Sequence, residues 1–338
     1  MKKVRSLFEY EDKMQKISEI GDPLERLNKV IPWERIFSPV IDKIMTKEPK
    51  GSGGRPRYDY IFMLKVLIIQ RTYNLSDEQT EYQINDRLSF QRFLGIDLSS
   101  DVPDYTTIWK FRETLIQSDV INDLFRNFQK FIEDQGYKMK SGSIIDASFV
   151  EAPRQRNTKD ENDQIKKGKI PSGWSDKKQA HKDIDARWTT KNHEKHYGYK
   201  NHAKVDIKTK FITNYKITSA NVHDSQMLDE LLERRDCRKK LYGDSAYRST
   251  EIEQSLKGKN IKSMIHEKGY RNNPLTDKQK KRNRAKSKIR ARVEHVFGFI
   301  ENTMKGSFLR CIGINRADGV IGLMNLTYNL NRFMQLEA

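Results

Sequence analysis

Cysteine is nearly absent from this 338-residue chain, which carries only Cys237 and Cys311. Two thiols cannot build a disulfide framework or a Cys-rich zinc centre, and they suit a reducing compartment. Long apolar runs are missing too. The longest, Ile61 to Ile69, is nine residues and contains Lys65, too short to span a bilayer. Met1-Lys2-Lys3 meets Glu9, Glu11 and Asp12 rather than an apolar signal core, so the expectation is a soluble cytoplasmic protein without a membrane partner. No segment repeats. Histidine is sparse: His193 and His196 are three apart, but no cysteine or second pair lies nearby, which argues against zinc. A hydrophobic content of 36% is lean, yet too high for a disordered basic tail.

What the chain has in excess is positive charge. A net charge of +18 points to a polyanionic partner, most often nucleic acid. The excess is not spread evenly. Residues 1–149 and 311–338 are each neutral, 211–254 carry −1, 150–210 carry +7 and 255–310 carry +12. Between Lys278 and Arg292 nine of fifteen residues are basic and none is acidic.

The pattern predicts two domains. Residues 1–140 read as helical, with a Gly- and Pro-rich link at Pro49 to Pro56 and an apolar helix over Tyr58 to Tyr73. Ser76-Asp77-Glu78-Gln79 has capping-box form. The helix after Asp104 pairs with its predecessor either as a DNA-reading helix-turn-helix with Lys110 and Arg112 outward, or as ordinary bundle packing. Residues 141–338 alternate strands and helices in an α/β pattern, with short strands at Ser143–Val150, 198–208, 211–218, before Asp244 and at Ser263–His266. A polar, basic stretch at about 152–196 reads as an insertion or mobile loop. Ile289, Val293, Val296, Phe297, Ile300 and Met304 predict one long helix.

Three acids break this pattern. Asp146 interrupts an apolar strand, Asp244 ends another, and Glu294 borders the stripe of the long helix. Aspartate is depleted in strands, and carboxylates brought together need a compensating cation. Hard oxygen ligands suit Mg²⁺.

Asp146 in Ile144-Ile145-Asp146-Ala147-Ser148, Asp244 in Tyr242-Gly243-Asp244-Ser245-Ala246-Tyr247 and Glu294 in the segment Arg290 to Gly298 resemble the catalytic triad of bacterial insertion-sequence DDE transposases. The insertion-sequence-five group is the most similar. Tyr197 to Lys204 and Ala220-Asn221-Val222-His223-Asp224 extend the resemblance, which covers residues 55–335. It implies a ribonuclease-H-like mixed β-sheet flanked by helices, preceded by an all-helical N-terminal domain that binds DNA ends. It further implies a nucleoid-associated bacterial enzyme in which Asp146, Asp244 and Glu294 hold two Mg²⁺ ions, with Mn²⁺ able to substitute. DNA hydrolysis at the element's terminal inverted repeats would be followed by joining of 3′ ends to target DNA, on a homodimer or higher assembly. Lys200, His202, Lys204, Arg248, Arg290, Arg292 and Lys305 are the expected DNA contacts, with Trp174, and also Trp188, either as aromatic surfaces for an unpaired base or as anchors of loop packing. His223 and Asp224 are expected to cap and orient the next helix. One departure stands out: the family's Lys seven residues after the Glu is Glu301 here, while Lys305 returns to the same helical face. A nuclease without strand transfer, or a transposase-derived regulator, are the competing readings.

Overall fold

Asp59 accepts a hydrogen bond from Phe62 N and opens a helix that is apolar almost all round. Such a helix belongs at the centre of a bundle. The computed structural model describes residues 8–45, 57–138, 140–191 and 193–337; the link at Pro49 to Pro56 lies outside them. Two compact units are present: Met1–Phe131 with Leu326–Ala338, and Ile132–Asn325.

The first unit is helical: α1 (Glu9–Ile20), α2 (Pro23–Val30), α3 (Trp33–Met45), α4 (Tyr60–Tyr73), α5 (Asp77–Asp86), α6 (Leu88–Leu94), α7 (Tyr105–Gln117) and α8 (Val120–Asp134). Ser76 and Gln79 close the expected capping box on α5, and Asp104 caps α7. Arg112 does not point outward. Its guanidinium reaches Asp77 at 2.5 and 2.9 Å and Gln70 Oε1 at 3.0 Å, locking α7 onto α4 and α5. A side chain committed to that buried network cannot read bases, so of the two expectations the bundle packing fits this residue.

The second unit contains β1 (Ser143–Glu151), α9 (Lys159–Lys166), α10 (Asp176–Ala180), β2 (Arg187–Lys191), β3 (Glu194–Asp206), β4 (Ile212–Ser219), α11 (Leu228–Leu231), β5 (Lys240–Tyr242), α12 (Thr250–Gly258), β6 (Lys262–Ser263), α13 (Asp277–Arg290), α14 (Arg292–Gly298) and α15 (Ile314–Leu336). The last part of α15 belongs to the first unit. β1 is central, antiparallel to β3 and parallel to β5, with β4 beyond β3 and β6 beyond β5. An antiparallel meander of β1, β3 and β4, continued by two parallel strands, is the ribonuclease-H-like sheet. β2 is an addition, a hairpin partner for the start of β3.

Register decides what each face carries. Asp146 pairs with Ala203, and Ile145, Ala147 and Phe149 pair with Lys204, His202 and Lys200. Directly opposed residues share a face and neighbours alternate. Lys200, His202 and Lys204 therefore lie on the face opposite Asp146. On their side Ile145 joins Leu228, Leu231, Leu241, Tyr247, Leu256, Ile261 and Ile265 in one core cluster. On the Asp146 side, Asn201 exchanges amide hydrogen bonds with Asn325 at 2.8 and 3.2 Å, tying β3 to α15.

Two expectations are corrected. The insertion is not an unstructured loop: it holds α9, α10, β2 and the first residues of β3. Its polar composition hid them, because capping (Thr158 with Glu161, Ser175) rather than apolar periodicity defines its helices. Nor is the last stretch one long helix. α13 ends at Arg290, α14 starts at Arg292, and a π-helical turn follows at Phe299–Thr303. A π turn slips the helical phase, so Glu301 does not repeat the position of Glu294. Lys305 lies past that turn with φ +51°, so the face argument that made it a substitute cation fails.

Candidate active site

Asp146 is the fourth residue of β1, on the central strand of the sheet. Asp244 follows β5. Parallel pairing joins Ile144 to Tyr242, so each acid stands two residues beyond that pair, Asp146 on β1 and Asp244 just past the end of β5. Asp244 accepts a hydrogen bond from Ala246 N at 2.8 Å, which fixes it as the cap of a 3₁₀ turn at Ser245–Tyr247. Glu294 sits in the first turn of α14, a helix that contacts β1 and buries Val293, Val296 and Phe297.

Arg290 connects two of the three acids. Its Nη1 donates to Asp146 Oδ2 at 2.6 Å and its Nη2 to Glu294 Oε1 at 3.1 Å. The other Asp146 oxygen accepts from Ala147 N at 2.9 Å. Asp146 is 9% exposed. Burial pushes its carboxyl above the usual range, Arg290 and the Ala147 amide oppose that, and the Asp244 charge adds to it. A buried carboxylate beside a second acid is short of positive charge.

Among the described residues no three His, Cys, Asp or Glu side chains stand grouped to hold a metal ion. The donor chemistry nevertheless fits one: Asp146, Asp244 and Glu294 offer only carboxylate oxygens, the ligands of hard divalent cations.

The remaining expected residues fall into two groups. Arg248, Arg290 and Arg292 come from the segments that frame the acids: Arg248 reaches Glu253 at 3.5 Å, and Arg292 donates to Ile207 O at 2.9 Å. Lys200, His202 and Lys204 are buried on the far face. Lys200 Nζ lies 2.7 Å from Asp224 Oδ1 and from Val222 O, above the Phe149 ring. His202 bonds Thr218 at 2.8 Å, and burial pushes its pKa down to about 4, so it is neutral at physiological pH. Lys204, 1% exposed, contacts Glu233 at 2.6 Å and Asp236 at 2.7 Å. In this conformation all three cations or cation candidates serve protein groups, not solvent.

Trp174 is 6% exposed. Its indole donates to Glu161 at 2.6 Å and lies beneath Lys178 and Lys182, which makes it an anchor of the insertion. Trp188, 49% exposed, leans on Tyr197 with Arg154 over its ring, and is the better aromatic surface. His223 caps the turn at Asp224–Met227, while Asp224 itself belongs to Lys200.

Sequence reasoning missed two features. Asp183 is buried and accepts from Tyr199 Oη, Asp185 N, Ala186 N and Gly313 N. Tyr247 is wholly buried in the core cluster that holds Ile145, its hydroxyl without a hydrogen-bond partner. The only sequence signal for either was an unusual residue in its setting: an Asp-x-Asp in a polar stretch and an aromatic three residues after an acid.

The family described as "Transposase DDE domain" matches residues 137–330, and "Transposase domain (DUF772)" matches residues 11–114. A solved structure titled as a cryo-EM piggyBac transposase synaptic complex with hairpin DNA is 13% identical, with a TM-score of 0.45 over 95% of this chain and 76% of that one.

Proposed function

The chain belongs to the transposase DDE domain family, and on that premise we propose a DNA transposase that acts at the ends of an insertion sequence by metal-dependent phosphoryl transfer. The observation that carries the reading is Asp146. It is a buried carboxylate on the central strand of a ribonuclease-H-like sheet, beside Asp244 and joined through one guanidinium to Glu294. Family members generally use divalent metal ions. Asp146, Asp244 and Glu294 would hold two Mg²⁺ ions here, or Mn²⁺, supplying Lewis acidity for a water or 3′-hydroxyl nucleophile and for the leaving oxygen.

The chain's own groups then have distinct tasks. Ala147 N and Ala246 N orient the two aspartates. Arg290, Arg292 and Arg248 are the candidate phosphate contacts near the acids. α13, whose residues are all outside the core, extends that surface with a run of lysines and arginines. Such contacts position a duplex without reading its sequence. Recognition of terminal inverted repeats is assigned to residues 1–140, with 141–338 as the catalytic part, and two ends require at least a dimer on DNA. The motifs at Tyr197–Lys204 and Ala220–Asp224 favour the insertion-sequence-five group.

With Mg²⁺ and DNA carrying the element's own ends, Asp146→Asn, Asp244→Asn and Glu294→Gln should each abolish cleavage and leave DNA binding intact. Cutting by either aspartate variant would overturn the site. Cleavage by the unaltered protein without strand-transfer products would favour a plain nuclease.

A further inference from the structure

Arg290 is doing something other than waiting for a phosphate. One guanidinium spans Asp146 and Glu294, and with the Ala147 amide it engages both oxygens of Asp146. A divalent cation at Asp146 competes with this pairing for the negative charge of the carboxylate. A guanidinium 2.6 Å from Oδ2 and a divalent cation on the same carboxylate repel one another electrostatically. The pairing is also incomplete. Arg290 Nε is buried without a partner, and a buried unsatisfied donor weakens the hold of the site on this side chain.

Arg290 is the last residue of α13, an exposed helix with eight basic residues between Lys278 and Arg290. Its side chain remains 24% exposed, within reach of a ligand on that surface. A phosphodiester that docks along α13 offers Arg290 a bidentate anion of the geometry guanidinium favours.

We propose that Arg290 is a positioning residue that serves as the internal counter-ion of the carboxylates in DNA-free protein and is exchanged onto a DNA phosphate as metal takes its place. The inference rests on the metal-site reading above. Metal loading and DNA engagement then become coupled, so that a protein not bound to DNA keeps Asp146 and Glu294 partly neutralised and its metal affinity low. Coupling of this kind is reciprocal: whatever factor DNA adds to metal affinity, metal adds to DNA affinity.

The test is Mn²⁺ binding to the full chain, read from the loss of the free-ion electron paramagnetic resonance signal, with and without a short duplex. Arg290→Gln, which keeps a polar side chain but no charge, should bind Mn²⁺ at least about fivefold more tightly than the unaltered protein without DNA. Arg290→Lys, a point charge that cannot span two carboxylates, should fall between them. Duplex should tighten Mn²⁺ binding by the unaltered protein and have little further effect on Arg290→Gln. Circular dichroism checks that both variants fold. Equal affinity for the unaltered protein and Arg290→Gln, with that binding lost in Asp146→Asn, would overturn the counter-ion role and leave the metal site standing. Binding that Asp146→Asn does not remove would overturn the metal site itself, and this inference with it.

Discussion

Lys204 stands directly across from Ile145 in the β1–β3 pair, one register position from Asp146 and on the other face of the sheet. Its ammonium is buried between Glu233 and Asp236. Lys204→Ala should therefore destabilise the fold by about 3–5 kcal/mol, since it strands two acids, one of them buried. Urea denaturation measures the loss. The salt dependence of DNA binding should not change at a temperature where the variant is folded.

The exposed basic residues of α13 should behave in the opposite way. Replacing Lys281 and Arg284 with Gln should leave stability within about 0.5 kcal/mol. If both contact phosphates, the slope of log affinity against log salt should become shallower by about 1.8. An unchanged slope would remove α13 from the DNA surface.

Gly198 tests the hairpin that carries the insertion. Its φ is +148°, and a Cβ there would lie 2.3 Å from Val150 O and 2.7 Å from Ala152 N. Both neighbours are backbone, so neither can swing aside. Gly198→Ala should lower stability by at least about 1–3 kcal/mol, measured by thermal or urea unfolding.

Glu161 gives the insertion a pH limit. Hydrogen bonds from Lys178, Thr158 N and the Trp174 indole lower its pKa to about 2. A carboxylate held below its ordinary value contributes stability that is complete above about 4.5 and lost as pH falls towards 2. Trp174 emission should change across that window in the unaltered protein. In Glu161→Gln the change should be absent, with altered emission already at neutral pH.

Much of the arrangement was legible because strands and acids conflict. Asp146 and Asp244 stood out against apolar strands, and the cap at Ser76 announced α5 by chemistry alone. Lys200, His202 and Lys204 were harder to place. Alternation along a strand tells which residues share a face, not which face looks at the acids; that needed the register of β1 with β3. Charge counting assigned the two lysines to DNA, whereas their partners Asp224, Glu233 and Asp236 lie 24 to 32 residues away. The break at Ala291 and the π turn were invisible for a related reason. A stripe at helical spacing survives a short interruption, so Ile289 to Met304 read as continuous.

The buried carboxylate of Asp183 has a consequence for modularity. It accepts from Gly313 N at 3.2 Å, and Asp185 accepts from Ile314 N at 3.0 Å, at the start of α15. Those amides are otherwise unmet donors at the positive end of a helix. The segment between β1 and β3 is thus a keystone rather than a cassette. A shortened chain that joined the two strands directly would keep every acid of the candidate centre and still uncap the helix that backs its sheet.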